Sequence, residues 1–427
     1  MIMKRIILPG AFLFVFAFAN AQSNAELKTL IKQSFSYFPR IQELQKASEV
    51  SDLRVGLARS NYYPVISGNG SYTYVTPLSI VHTPTGDLVF QPNNNYDFNV
   101  SLTQPIWDFG KTNAQIAKAK TDLLSATTNI EQAKAQVAAQ VANVYYSMVY
   151  LKKAIAVEDS ILSFLRENKK IVESKIKRGD ALQIDLTNIQ SNIDLEENRK
   201  VDFVNSLQKQ KALLDYTTGV NTEPTSGDFD FPAFSEAPVI DYAKQNNFDL
   251  LLANQRTLAS EMDLKYSENS RFPLLNFIGG TGYKNGYQPS IQPLIFNYLV
   301  GLRLSVPIYT AGKTSQNIQI SRKNVEASQL ALKTTENNLR KDLVQVQTDL
   351  TSNADRIKNS EAQVNYAREA LVLTESRYKQ GVATHLDLLN SSSNLQRILL
   401  NQIQFQYQLC AARIEQARLL GWKYWGE

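Results

Sequence analysis

Among the 427 residues there is one cysteine, and there are two histidines. A disulfide needs two cysteines and a structural zinc site needs four Cys or His ligands, so neither can be assembled within one chain. Haem ligation and thiol redox pairs are disfavoured on the same counts. His82 sits in a polar loop and His385 beside a turn, which leaves no catalytic triad or metal cluster, and no glycine-rich phosphate cradle occurs. No enzyme class and no cofactor is indicated. The net charge of +5, from 45 basic and 40 acidic residues, is too small an excess to signal nucleic acid. Beyond residue 22 no run of 18 or more apolar residues occurs, so no transmembrane helix is expected in the mature chain. Any membrane contact has to be made with β-strands.

The first 22 residues read MIMKRIILPGAFLFVFAFANAQ. Lys4 and Arg5 form a basic start, an apolar stretch follows, and Ala19-Asn20-Ala21 fits a small-residue cleavage site. Residues 1–21 are expected to be a signal peptide, and the protein to be secreted across the inner membrane. Cys410 is far from that site, which excludes a lipidated N-terminal cysteine.

What is present is a repeat. SLTQPIWDFGKT at 101–112 pairs with RLSVPIYTAGKT at 303–314, and SKIKRGDALQIDLTNIQSNI at 174–193 pairs with SRYKQGVATHLDLLNSSSNL at 376–395. Both pairs are offset by 202 positions, as are Gly219 and Gly421, and the second pair shares nine of twenty residues. One extra residue rotates a helical face by about 100°, so a constant offset suits long helices. The chain reads as an internal duplication, with a first repeat over 22–230 and a second over 231–427.

Residues 111–178 contain no proline or glycine over 68 positions, which predicts one helix of about 100 Å. Val137, Val141, Val144, Met148, Leu151 and Ile155 recur at an average spacing of 3.5, a left-handed coiled-coil seam. Leu339, Leu343, Val346, Leu350 and Ile357 carry the matching seam over 313–380, interrupted by Asn353. Gly179 and Gly381 close these helices, and second helices follow over 181–216 and 384–420. One helix each is expected over about 25–59 and 241–270, ahead of the β segments.

Strand pairs are expected within 65–106 and 274–308. Tyr96, Phe98, Val100 and Leu102 alternate with Asp97, Asn99, Ser101 and Thr103, and Tyr298, Val300, Leu302 and Leu304 share one face in the second copy. The segments at 77–95 and 286–292 are rich in Pro, Asn and Gly and read as loops. Clustered tyrosines fit interfacial girdles, although a soluble β-sandwich gives the same alternation. Four strands cannot close a barrel, and an open sheet in lipid leaves its edges unpaired. If the sheet enters a membrane, several chains must share one barrel. Two chains give eight strands with a filled interior, and three give twelve with an aqueous bore.

The order helix, strand pair, long helix, helix, given twice, resembles the TolC family of outer membrane efflux proteins. The local patterns are QPIWDFGK at 104–111, VPIYTAGK at 306–313 and RYKQGVATHLDLLN at 377–390. The resemblance implies a mainly α protein with a small β part. It implies a homotrimer, with a 12-stranded transmembrane barrel in outer membrane lipid above a long coiled-coil helical barrel. A periplasmic adaptor and an inner membrane pump dock to the periplasmic end, and solutes leave through a passive duct. By the same resemblance Asp387 matches the gate carboxylate, and Asn390 stands where some members carry a second acid. Tyr378 matches a tyrosine that ties helices together when the duct is closed, and Asp185 its acidic partner. A basic residue of that link is Ala383 here. Arg178-Gly179-Asp180 and Gln380-Gly381-Val382 match the adaptor-docking turns. His385 is expected to face solvent or a neighbouring helix, close enough to Asp387 for pH-sensitive gating. The alternative is a periplasmic coiled-coil scaffold or adaptor with a soluble β domain.

Overall fold

The computed structural model describes residues 13–84, 86–225, 227–235 and 239–426, with side chains from residue 25 onward. The basic start of the expected signal peptide lies outside the described residues.

The elements run α1 (Leu13–Tyr37), α2 (Pro39–Ser60), β1 (Val65–Tyr74), β2 (Ile80–Thr83), β3 (Gly86–Val89), β4 (Asn94–Trp107), α3 (Lys111–Arg178) and α4 (Gln183–Thr218). They continue with α5 (Val239–Asn246), α6 (Phe248–Asn269), β5 (Leu274–Lys284), β6 (Ile295–Ser305), α7 (Lys313–Lys379) and α8 (His385–Leu420). The protein is mainly helical with a small sheet. No described helix is long and apolar enough to cross a membrane.

Three expectations are revised. The helix read over about 25–59 is broken at Phe38, because Pro39 lacks an amide hydrogen and opens α2 instead. The helix read over 241–270 is broken at Asn247, whose carboxamide oxygen accepts the Leu250 amide at 2.8 Å and caps α6. Asn247 also donates to the Leu419 carbonyl at 2.8 Å, so the break is anchored to the end of α8. The segment 77–95 is more than a loop, since β2 and β3 form a short antiparallel hairpin within it.

The chain divides into two compact units, one holding residues 45–128 and 252–334, the other residues up to 44, 129–251 and from 335 onward. The first unit contains a four-stranded antiparallel sheet of order β1-β4-β5-β6. Register places Gly70, Phe98, Tyr283 and Phe296 in one cross-strand row, and Gly68, Val100, Thr281 and Tyr298 in another. On this face Phe98, Val100, Tyr298, Val300, Leu302 and Leu304 are exposed, Tyr298 at 76%. The opposite face carries Asn69, Asp97, Asn99, Ser101 and Arg303. There Asn69 donates to Asn99 and Ser101 at 3.1 Å, and Lys284 lies 3.6 Å from Asp97. Among the described residues β1 and β6 each keep one edge unpaired.

The core of the second unit is built on the α3 seam, where Val137, Val141, Val144, Met148 and Leu151 are buried. Leu27, Leu30 and Ile31 of α1, Leu214 of α4 and Ile414 of α8 close over it. Two of its buried hydroxyls find carboxylates: that of Tyr145 donates to Glu26 and that of Tyr146 to Asp230, both at 2.9 Å. The aromatic residues Phe231, Trp422, Tyr424 and Trp425 pack edge-to-face near the chain's end. Such pairs add about 1 kcal/mol beyond burial.

Helix ends set the path of the chain. Gly421 ends α8 at φ 67°, and a Cβ there would meet the Asn246 carbonyl oxygen at 2.1 Å. Gly381 ends the α7 turn at φ 76°, with open space around it. Gly381→Ala is expected to cost about 1 kcal/mol from left-handed strain alone. Gly421→Ala adds a backbone clash and should lower the thermal midpoint further. Melting both variants in the same detergent checks the order.

Candidate functional site

The candidate site is the pair of helical turns between α3 and α4 and between α7 and α8. Both end in the same way. The Gly179 amide donates to the Ile176 carbonyl at 3.0 Å, and the Asp180 amide to that of Lys175 at 2.9 Å. The Gly381 amide donates to the Tyr378 carbonyl at 3.1 Å, and the Val382 amide to that of Arg377 at 2.9 Å. This double bond pattern closes a helix C-terminus and requires a left-handed residue, which is why glycine stands at φ 80° and 76°. Arg178, Asp180, Gln380 and Val382 are exposed around the two glycines. Arg178 also holds Asp180 at 3.2 Å, an exposed pair that contributes little to stability.

The helices that leave the turns start unequally. Thr384 caps α8: its hydroxyl accepts the Asp387 amide at 3.1 Å, while the Asp387 carboxylate accepts from the Thr384 amide and hydroxyl at 2.8 and 2.7 Å. These bonds hold the Asp387 carboxyl below its ordinary value, so it stays ionised at neutral pH. The corresponding position in the first copy is Leu182, whose side chain cannot cap. Only the reverse bond remains there, from the Leu182 amide to Asp185 at 3.1 Å. Asp387 and Asn390 lie one turn apart on the exposed side of α8.

Tyr378, Asp185, His385 and Lys175 come together. The Lys175 ammonium sits 3.9 Å from the centre of the Tyr378 ring, and the His385 ring is 5.7 Å from that of Tyr378. Burial raises the Tyr378 phenol, and the Asp185 charge raises it further. His385 is 6% exposed, and both its ring nitrogens are buried without a hydrogen-bond partner. Of the two expected places it takes the neighbouring helix rather than solvent, and the acid acting on it is Asp185, not Asp387. Burial lowers its affinity for a proton, Asp185 raises it and Lys175 lowers it, with a net lowering. Sequence reasoning missed Lys175, whose place in the last turn of α3 marks it only as a favourable helix-end cation.

A second polar group was also missed. Glu158, Glu196 and Gln396 are 0%, 4% and 2% exposed, and the Gln396 amide nitrogen donates to the two carboxylates at 2.7 and 2.6 Å. A signal existed: Glu158 falls three residues after the seam position Ile155, and Glu196 three after Ile193. Both continue an apolar register with an acid.

Comparison with known proteins identifies the family. The family model of the outer membrane efflux proteins matches residues 30–220 and 239–422. The chain belongs to the outer membrane efflux protein family. It is an outer membrane protein that serves as an efflux channel, which decides against the periplasmic scaffold. Members of the family are channels. Similar proteins include nodulation protein T of Rhizobium leguminosarum bv. trifolii, 21% identical over 89% of this chain and 82% of its own length. Another is the alkaline protease secretion protein AprF of Pseudomonas aeruginosa, 22% identical over 78% of this chain and 71% of that one. The solved outer membrane protein VceC of Vibrio cholerae shares the fold with a TM-score of 0.81, at 17% identity over 93% of this chain and 96% of VceC.

Because folding lowers the proton affinity of His385, the folded state binds fewer protons than the unfolded one just below the ordinary histidine value. Stability is therefore expected to fall as pH drops below about 6.5. His385→Phe keeps a ring beside Tyr378 and cannot titrate. The thermal midpoint at about pH 5, taken relative to that at about pH 7.5, should be higher for this variant than for the native chain.

Proposed function

We propose that three copies of this chain form a passive export duct, whose sheets join in one 12-stranded barrel above a helical tunnel gated at the two turns. The single observation that carries the reading is the sheet. It has one apolar exposed face, one polar face and two unpaired edges. In hydrocarbon each orphaned backbone group costs several kcal/mol, so two free edges of 10- and 11-residue strands cost on the order of tens of kcal/mol. Burying the apolar face cannot compensate unless the edges are paired, and copies of the same chain supply the missing strands. Twelve strands leave a water-filled bore, whereas eight would be filled by side chains. The polar face, with Asp97, Asn99 and Arg303, then lines the bore.

In this reading the repeated 202-residue offset reflects an internal duplication that gives each protomer two hairpins of long helices. Asp387 from three chains forms an acidic ring around a narrow axis, with Asn390 one turn beyond. Tyr378 and Asp185 hold the closed arrangement, without the basic residue that Ala383 replaces. The exposed turns Arg178-Gly179-Asp180 and Gln380-Gly381-Val382 receive a periplasmic adaptor, and an inner membrane pump supplies the cargo. AprF is named for protease secretion and other relatives for efflux, so the cargo class is set by the pump.

The unheated protein should migrate as a trimer on a denaturing gel and require detergent to stay in solution. A monomer soluble in plain buffer overturns the reading. Asp387→Ala should raise single-channel conductance in planar bilayers or weaken block by divalent cations. Thr384→Ala is the control: it removes the cap at a cost of about 1 kcal/mol but keeps the carboxylate, so block should persist. Equal conductance and block in native and Asp387→Ala channels removes the gate assignment.

A further inference from the structure

The buried polar layer of α3, α4 and α8 is not used by the gate described above. Glu158 replaces a seam hydrophobe on α3, Glu196 does so on α4, and Gln396 reaches both from α8. Two carboxylates can contact one another favourably only if one of them carries a proton, because each is otherwise an acceptor alone. The geometry calls for that proton. The Glu158 Oε1 atom is buried and no donor faces it. Glu196, by contrast, receives Arg199 at 2.6 Å in addition to Gln396, so it is the better stabilised anion.

The surrounding charges are few. From α4, Glu196 and Arg199 act on Glu158. From α8 the facing group is the uncharged Gln396, with Arg397 beside it on the wall of a groove. On α3 itself Asp159 is engaged by Lys200 at 2.6 Å. The groove, of about 390 Å³, is lined by Glu196, Arg199, Gln396 and Arg397, so water reaches one side of the layer and can exchange the proton.

We propose that Glu158 and Glu196 share one proton under the Gln396 amide, and that this proton latches α8 to α3 and α4. Its loss places two buried anions in contact and frees α8 to move, so the duct opens as pH rises. The proposal rests on the channel reading, because α8 carries Asp387.

Burial pushes the Glu158 carboxyl up to about 7. The Gln396 bond opposes this, contact with Glu196 and its charge add to it, and Arg199 opposes it. The sign follows: a raised value in the folded state gives stabilisation that is complete below the ordinary carboxylate value. That stabilisation is lost as pH rises through about 7. His385 acts in the opposite sense, losing stability as pH falls.

The test uses the full-length trimer in planar bilayers at about pH 6 and pH 8. If the acid regains an ordinary affinity in the open state, the closed–open constant should shift about tenfold toward open between these values. Glu158→Gln keeps the hydrogen bonds without a titrating proton, and its closed–open constant should not change with pH. Glu196→Gln is the second arm and should also flatten the profile. A register-pinning role alone would leave the native pH slope intact in both variants. A conducting native channel with no pH dependence, or variants that keep the native slope, overturns the latch and leaves the channel reading standing. Absence of conductance in the native trimer overturns both. Thermal melts between about pH 5 and pH 8 read the shared proton without conductance. The midpoint at about pH 8, taken relative to that at about pH 5, should be higher in Glu158→Gln than in the native protein, and an unchanged difference overturns the latch.

Discussion

Backbone hydrogen bonding at the edges of a four-stranded sheet is the constraint on which the rest of this protein depends. A strand in water leaves its outer amides to solvent at little cost, but a strand in hydrocarbon has no such partner. The sheet β1-β4-β5-β6 presents an apolar face that suits lipid and two edges that do not. In the proposed trimer the copies that pair the edges also fix how many helices surround the axis, and where an acid such as Asp387 falls relative to its counterparts.

The helical bulk of the fold and its small sheet were legible because both depend on periodicity. The 3.5-residue seam identified Val137, Val141, Val144, Met148 and Leu151 as buried, and they are. Alternation in β4 and β6 separated an apolar from a polar face, and the register keeps those faces apart. The turns were legible because only glycine takes a positive φ there without strain. Periodicity averages over breaks, so the interruptions at Phe38 and Asn247 were hidden, although Pro39 and the capping amide of Asn247 were readable in principle. The β2–β3 hairpin was obscured by a composition typical of loops.

The site was less legible than the fold. Asp387 and Asp185 were found through family likeness, while their hydrogen bonds to helix starts follow from sequence position three residues into each helix. His385 was placed beside the wrong acid, because nearness in sequence pointed to Asp387 whereas packing turns the ring toward Tyr378 and Lys175. The Glu158–Glu196–Gln396 layer joins Gln396 to residues 238 and 200 positions earlier, a contact that no local pattern reports. Its trace was an acid where the seam asks for a hydrophobe.

The uninterrupted lengths of α3 and α7, 68 and 67 residues, carry a consequence for how such a molecule can change size. Adding one residue inside either helix would swing every later side chain to a different neighbour. Adding seven would restore the facing set almost unchanged. Growth or shrinkage of the helices is thereby quantised, in increments of roughly 10 Å. Matching increments in the antiparallel partners α4 and α8 would be needed to keep the two glycine turns level.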